Sequence, residues 1–251
     1  MELYLYLLLA LGINLVMFIP AFIFKTDRLT DISYGLSFVT LVAIAWIVEP
    51  FSIENTLVAL MVTLWGIRLG AFLFIRIKKM KRDKRFDGRR EHFIKFLSFW
   101  LLQGITVGIV LIPALLFMGK TDKSTMSVGI LIWLFGLLFE TIADSQKFNF
   151  NQNPSNKGAF IDRGLWKVSR HPNYFGEILV WVGMYVYMFM SFSTLEKLWT
   201  LSGPVFIILM LLFVSGIPTV EKRAEEKFGN NPAYLEYKRR TSLLIPWFRK
   251  K

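Results

Sequence analysis

The segment Lys167-Val168-Ser169-Arg170-His171-Pro172-Asn173-Tyr174-Phe175-Gly176-Glu177 places cationic, amide, phenolic and carboxylate side chains just ahead of an apolar stretch, Ile178 to Phe192. Ionisable groups are expensive where a helix enters lipid, so such a concentration points to function. A helix start also presents unpaired backbone N–H groups and the positive end of the helix dipole, a combination that suits phosphate. The chemistry this predicts is the holding of an anionic cofactor at the mouth of a helical bundle.

Neighbouring segments supply matching groups. Glu140 and Asp144 lie four residues apart, on one face of an apolar helix, and Lys147 follows three residues later. Asp144 and Lys147 are read as facing a polar cavity, against the plainer account of an ion pair across the bundle. Arg163, next to the permissive Gly164, and Arg170 bracket the helix-entry loop and are predicted to fork onto phosphate oxygens. Headgroup snorkelling is the alternative for either arginine alone. His171 precedes Pro172, which favours an extended backbone there and a helix start at the proline. Asn173, Tyr174 and Glu177 then fall at the beginning of that helix, where Asn173 and Glu177 can contact a cofactor or merely cap. In the tail, Glu221, Glu225 and Glu226 among basic residues read as a solvated interfacial helix. Tyr234, Tyr237 and Arg240 are the exceptions, expected to cover the cofactor. Arg68 lies inside an apolar run and is expected to face the interior, with Glu49 or Glu54 as partner. Asn14, Ser33, Tyr34 and Gln103 are expected to hydrogen-bond between helices.

The elements that must position these groups are transmembrane helices. The chain is 54% hydrophobic with a mean hydropathy of +0.47, and its apolar runs approach the roughly 20 residues that cross a bilayer. Seven spans are predicted, near 2–24, 32–51, 55–77, 93–118, 126–148, 175–192 and 197–217, giving an all-α polytopic membrane protein. Glu2 and the length of the first run argue against a cleaved signal. Of the 30 lysines and arginines, 26 fall in 76–95, in 147–170, after 217, or at Lys25 and Arg28, all on one side of a seven-span topology. The positive-inside rule then places the N-terminus outside and the C-terminus in the cytoplasm. One integral domain, 1–251, is expected, with cytoplasmic loops 76–95 and 149–174 and a cytoplasmic tail 218–251. The segment from Pro218 to Tyr237 reads as an amphipathic helix broken at Gly229 to Pro232.

That sorting explains the net charge of +12 without a nucleic-acid partner, since no groove-binding motif accompanies it. Zero cysteines and two histidines, His92 and His171, exclude disulfides, thiol catalysis and any visible metal-ligand set. No dinucleotide fingerprint or P-loop occurs.

The run Arg170-His171-Pro172-Asn173-Tyr174-Phe175-Gly176-Glu177 resembles the steroid 5-alpha-reductase C-terminal superfamily, and more closely its bacterial branch of membrane proteins, the DUF1295 family. Supporting matches are Leu64 to Gly70, Asp83 to Phe86, Gln103, Asp144 to Lys147, Gly164 to Trp166 and Leu244 to Pro246. The wider clan contains steroid reductases, sterol C14 reductases and isoprenylcysteine carboxyl methyltransferases. The resemblance implies a 3-oxo-5-alpha-steroid 4-dehydrogenase-like fold of seven helices with NADPH in a cytosol-facing cavity. Asp144, Asn173 and Glu177 would be its contacts. It further implies hydride transfer to a conjugated C=C bond of a lipophilic, steroid- or isoprenoid-like enone. The Glu–Tyr pair that polarises the ketone in steroid reductases has no matching motif here. Tyr34 and Glu54 are candidates of the right type, with Arg68 a third polar group within a span. The methyltransferase branch shares the Arg-His-Pro-x-Tyr pattern and an acidic, tyrosine-containing tail, and would use S-adenosylmethionine. A non-enzymatic lipid-binding membrane protein is the remaining alternative. The expectations are thus a cofactor site formed by Asp144, Lys147, Arg163, Arg170, His171, Asn173, Tyr174, Glu177, Tyr234 and Tyr237, and no metal. Partners would be membrane lipids and a lipophilic small molecule, with no obligatory protein partner, in a bacterial cytoplasmic membrane.

Overall fold

The computed structural model describes residues 2–80 and 88–247, without the side chains of Asp31 and residues 77–80. Within the predicted loop 76–95, residues 81–87 therefore lie outside the described residues, as do the Asp83 to Phe86 match and the tail beyond 247. Among the described residues ten α-helices follow one another: α1 (Leu3–Ile23), α2 (Arg28–Val48), α3 (Ile53–Met80), α4 (Phe93–Met118), α5 (Ser127–Gln152), α6 (Pro172–Met188), α7 (Thr194–Thr200), α8 (Ser202–Leu209), α9 (Ile217–Phe228) and α10 (Pro232–Arg240). No strand occurs among the described residues. Seven helical segments among them are long and apolar enough to cross a membrane, so the chain is an all-helical, polytopic membrane protein.

Local chemistry sets the boundaries. Pro172 opens α6 because its missing N–H would be unpaired in a first turn anyway. Ser193 caps α7 in a reciprocal box: its hydroxyl accepts from the Glu196 N–H, and the Glu196 carboxylate accepts from the Ser193 N–H. The seventh span is interrupted. It runs through α7 and α8 into a π-helical turn at Met210–Val214 before the amphipathic α9 begins. Asn231 caps α10 behind the predicted break.

Contacts within the chain divide it into two compact units, Met1–Met126 with Met184–Gly203, and Ser127–Gly183 with Pro204–Lys251. In the first, α1 packs against α4 and α2 against α3. Its core is aromatic: Phe18 contacts Phe96 and Trp100 edge-on or tilted, and Phe38 meets Trp65 at 5.0 Å. A polar knot crosses that core. The Gln103 amide donates to Asn14 Oδ1 at 2.8 Å, and to the Thr30 carbonyl and Ser33 hydroxyl at 3.1 Å. Asn14 donates in turn to Ser37. Interhelical bonding is thus the role of Asn14, Ser33 and Gln103, while Tyr34 stands edge-on to Phe38 at 5.1 Å.

In the second unit α5 and α6 approach closely because glycines face the partner backbone. A Cβ at Gly136 would lie 2.7 Å from the Val180 nitrogen and 2.8 Å from the Gly176 oxygen. A Cβ at Gly176 would lie 2.6 Å from the Glu140 nitrogen. Small residues at such seams let membrane helices gain dispersion contact where no hydrophobic drive exists. Gly136→Val should therefore force the helices apart and lower stability by about 1–3 kcal/mol. The check is a thermal melt in detergent beside Leu138→Val at an exposed position, which should melt like the parent chain.

Candidate functional site

The second unit contains a cleft of about 150 Å3 lined by residues of α5, the loop 159–171, α9 and α10. Five of the predicted residues meet there: Lys147, Arg170, His171, Tyr234 and Tyr237. Their placement follows from a chain of local bonds. Gly164 adopts φ +61, and a Cβ on it would strike the Gln146 side chain at 2.4 Å. The turn thereby lets the Leu165 N–H donate to Gln146 Oε1 at 2.9 Å. The Trp166 indole then donates to the Ala143 carbonyl, and the Lys147 ammonium sits 4.3 Å from the Trp166 ring centroid.

Glu221 on α9 organises the next layer. Its carboxylate accepts from Arg170 Nη1 at 2.5 Å and from His171 Nε2 at 2.9 Å. Because an ionised carboxylate only accepts, His171 presents Nε2–H in this contact. Tyr174 stacks behind the imidazole, 5.5 Å away and nearly parallel. The tail then runs beside the lead-in to α6. The Tyr237 hydroxyl donates to the Trp166 carbonyl, the Arg170 N–H to the Ser242 carbonyl, Ser169 Oγ to the Leu244 carbonyl, and the Trp247 N–H to the Val168 carbonyl. Phe160 packs against Phe228, Tyr234 and Tyr237 to complete an aromatic wall.

Electrostatically the lining is positive. Lys147, Arg170 and Lys227 stand against one carboxylate, Glu221. Burial pushes the His171 pKa below its ordinary value, outweighing the hydrogen bond to Glu221 that raises it, so the imidazole is neutral near pH 7. Two polar atoms at this segment are buried and have no hydrogen-bond partner among the described residues: Arg170 Nε and Asn173 Oδ1.

The other predicted residues fall elsewhere. Arg163 lies over the Phe150 ring at 4.8 Å and lines a separate, more open depression with Gln146, Asn149, Asn153 and Asn156. The two arginines expected to share a phosphate therefore occupy different cavities, because the chain turns at Gly164 between them. Asp144 is buried on α5 and Glu177 half-buried on α6, neither lining the cleft. Asn173 is the second residue of α6, already inside the helix, and its buried Oδ1 accepts from no N–H, so it is no cap. Arg240 pairs with Glu236 on the exposed side of α10 and does not cover the cleft. Tyr34, Glu54 and Arg68 belong to the first unit. The Arg68 guanidinium lies 5.8 Å from the Phe72 ring. Glu54 cannot pair with it, since the two sit fourteen positions apart on α3, about 21 Å of rise. Glu49, just before α3, accepts from the Tyr6 hydroxyl at 3.2 Å.

Sequence reasoning missed Glu221, Lys227, Phe228 and Phe160. A signal existed for the first three. Val220, Glu221, Ala224, Lys227 and Phe228 recur at the spacing of one helix face. Phe160, in an aperiodic loop, offered none.

The motif residues Arg170 to Glu177 and Asp144 to Lys147 thus sit in one unit, around one cleft and its supporting helices. A family model described as "Protein of unknown function (DUF1295)" matches residues 17–241. The chain belongs to this DUF1295 family. Comparison with curated proteins and with solved structures finds no match.

Glu221→Gln should remove the countercharge of a mostly buried guanidinium and cost about 2 kcal/mol of stability, read as a lower melting midpoint. A second expectation concerns pH. A histidine with a depressed folded pKa makes the unfolded state the better proton binder. Stability should be complete above about pH 6.5 and fall as acid carries the solution below it. Melts between pH 7.5 and 5 should show this loss, and His171→Gln should flatten it.

Proposed function

We propose that the chain is an NADPH-dependent reductase of a conjugated C=C bond in a lipophilic, steroid- or isoprenoid-like substrate. The observation that carries this reading is the charge of the cleft: three cations, Lys147, Arg170 and Lys227, face a single carboxylate, Glu221. Such a lining favours a ligand with phosphates over a cationic one. One orphaned atom of the lining fits the same ligand: Arg170 Nε is a buried donor without a partner among the described residues, suited to a phosphate or carbonyl oxygen. At about 150 Å3, the cleft lies below the roughly 300–1,000 Å3 of sites that enclose a whole drug-sized ligand. It would hold one end of a dinucleotide.

A bound reduced nicotinamide would supply a hydride to the β-carbon of an enone, and a proton to the α-carbon would complete the saturated ketone. The residues of the chain bind and orient. Lys147 and Arg170 would neutralise phosphate oxygens, Glu221 holds the Arg170 fork and the His171 imidazole in place, and the rings of Phe160, Tyr234 and Tyr237 exclude water from one wall. The concentration of basic residues in 147–170 and in the tail supports a cytosolic cleft in a bacterial cytoplasmic membrane, with the N-terminus outside. The substrate would arrive from the bilayer, and no protein partner is required.

A second reading rests on a different observation. Trp166, Phe160, Phe228, Tyr234 and Tyr237 line the same cleft as Glu221, and aromatic faces beside a carboxylate suit a sulfonium. This is the S-adenosylmethionine-dependent methyltransferase alternative, opposed by the three cations.

Thermal melts of the detergent-purified chain separate the two. NADPH at about 100 times its dissociation constant should stabilise the chain by roughly 2.7 kcal/mol, and Lys147→Ala should weaken that effect without unfolding the chain. Stabilisation by S-adenosylmethionine alone would instead establish the methyltransferase. Stabilisation by neither would remove nucleotide cofactors from this cleft.

A further inference from the structure

The first unit carries a cavity of its own with no part in the proposed chemistry. It is a polar depression of about 340 Å3 lined by Phe24, Lys25, Thr26, Asp27, Arg28, Arg90 and Glu91. Its position relative to the bilayer follows from the chain. Only residues 24–27 separate the spans Leu3–Ile23 and Arg28–Val48, so the depression lies at headgroup depth whichever way the protein is oriented.

The chemistry of its lining differs from simple snorkelling. Arg90 is 6% exposed and Asp27 5%, and their side chains pair at 3.4 Å. Asp27 is thereby neutralised from within, and Glu91, the other carboxylate of the lining, has its Oε1 3.7 Å from Arg90 Nε, so Arg90 stands against both acids and Lys25 and Arg28 supply the excess positive charge. The Thr30 hydroxyl donates to the Asp27 carbonyl at 2.7 Å, and the Thr26 N–H to the Ala21 carbonyl at 2.9 Å, so the turn has its own internal bonds. Lys25 sits in the left-handed region at φ +48, as the residue closing α1, and is exposed, as is Arg28. Lys25 and Arg28 form no ion pair with a described residue, so both charges remain available at the rim. In the last turns of the α1 span leading to the depression, Ile19, Ile23 and the lining residue Phe24 leave more than half of their surface exposed. Ile19 and Ile23, one turn apart, share a face of α1. A cationic rim above an apolar strip matches a phosphate above an acyl chain.

We infer that this depression binds the headgroup phosphate of an anionic phospholipid, with Lys25 and Arg28 on the phosphate oxygens, Arg90 as the fixed floor and the Ile19–Ile23 strip under an acyl chain. Basic pockets at the ends of transmembrane helices recognise anionic headgroups in this way. The site would tie the α1–α2 turn to one lipid species, independently of the cofactor cleft.

The test is native mass spectrometry of the full chain released from detergent containing dioleoylphosphatidylglycerol or dioleoylphosphatidylcholine. The parent chain should retain one phosphatidylglycerol in preference to phosphatidylcholine. Lys25→Ala with Arg28→Ala should lower that retention on the order of tenfold. The control pair Lys222→Ala with Arg223→Ala removes the same charge from α9 and should leave retention unchanged. Equal loss in both double variants, or equal retention of both lipids, would overturn the site in favour of diffuse attraction. Displacement of phosphatidylglycerol by millimolar inorganic phosphate would overturn the lipid and leave a free-phosphate site.

Discussion

The bifurcated acceptance by Glu221 is the interaction on which the candidate site depends. One carboxylate on α9 receives both the Arg170 guanidinium and the His171 imidazole, the two residues that lead into α6. Hydrogen bonds to a charged partner contribute about 1.5–3 kcal/mol each, against about 1 kcal/mol for a neutral pair. The backbone bonds of residues 242–247 to 168–170 are of the weaker kind, so they follow the docking of α9 and do not replace it. Phe228 and Lys227 share the cleft-facing side of α9 with Glu221. Whatever positions that carboxylate positions most of one cleft wall.

A constraint from packing supplies the opposite wall. Lys147 and Ala143 lie on α5, which can approach α6 only because Gly136 and Gly176 meet the partner backbone without a Cβ. The Trp166 indole is then registered against α5 by its bond to Ala143, and Gly164 turns the loop so that Gln146 closes it. Helix proximity, loop turn and ring position form a single sequence of dependencies. The aromatic wall is compatible with it because Phe160 belongs to the same loop.

The seven spans are legible in the sequence because the length of an apolar run is dictated by the bilayer, and α4 is found at the residues read for it, Phe93–Met118. Pro172 likewise marks its helix start through the chemistry of one residue. The gathering of Lys147, Arg170, His171, Tyr234 and Tyr237 was legible as residue types. The direction of Arg163 was not, since a glycine turn decides it and hydrophobic periodicity is silent about loops. Glu221 was hidden by company: surrounded by lysines, arginines and other glutamates, it looks like any solvated acid of an amphipathic helix. Only its spacing with Phe228 betrays it. The strap of residues 242–247 bonds largely through backbone atoms, which carry no side-chain signature. The Arg68–Glu54 pairing fails on helix rise alone, a distance available from the sequence once both residues are placed on α3.

The buried amide oxygen of Asn173 carries a cost that helix capping does not repay. An acceptor without a donor costs about 1–3 kcal/mol, a large share of the 5–15 kcal/mol by which a domain is stable. Capping would have been the structural use for it, but the helix starts one residue earlier, and the oxygen accepts from no backbone N–H. The Arg170 Nε nearby in sequence is in the same condition, although the terminal nitrogen of that guanidinium is bonded to Glu221. Folding alone therefore gives no return for either atom. Arg170 lines the positively charged, aromatic-walled cleft and Asn173 does not, so an oxygen offered by a molecule in that cleft would offset the cost at Nε alone.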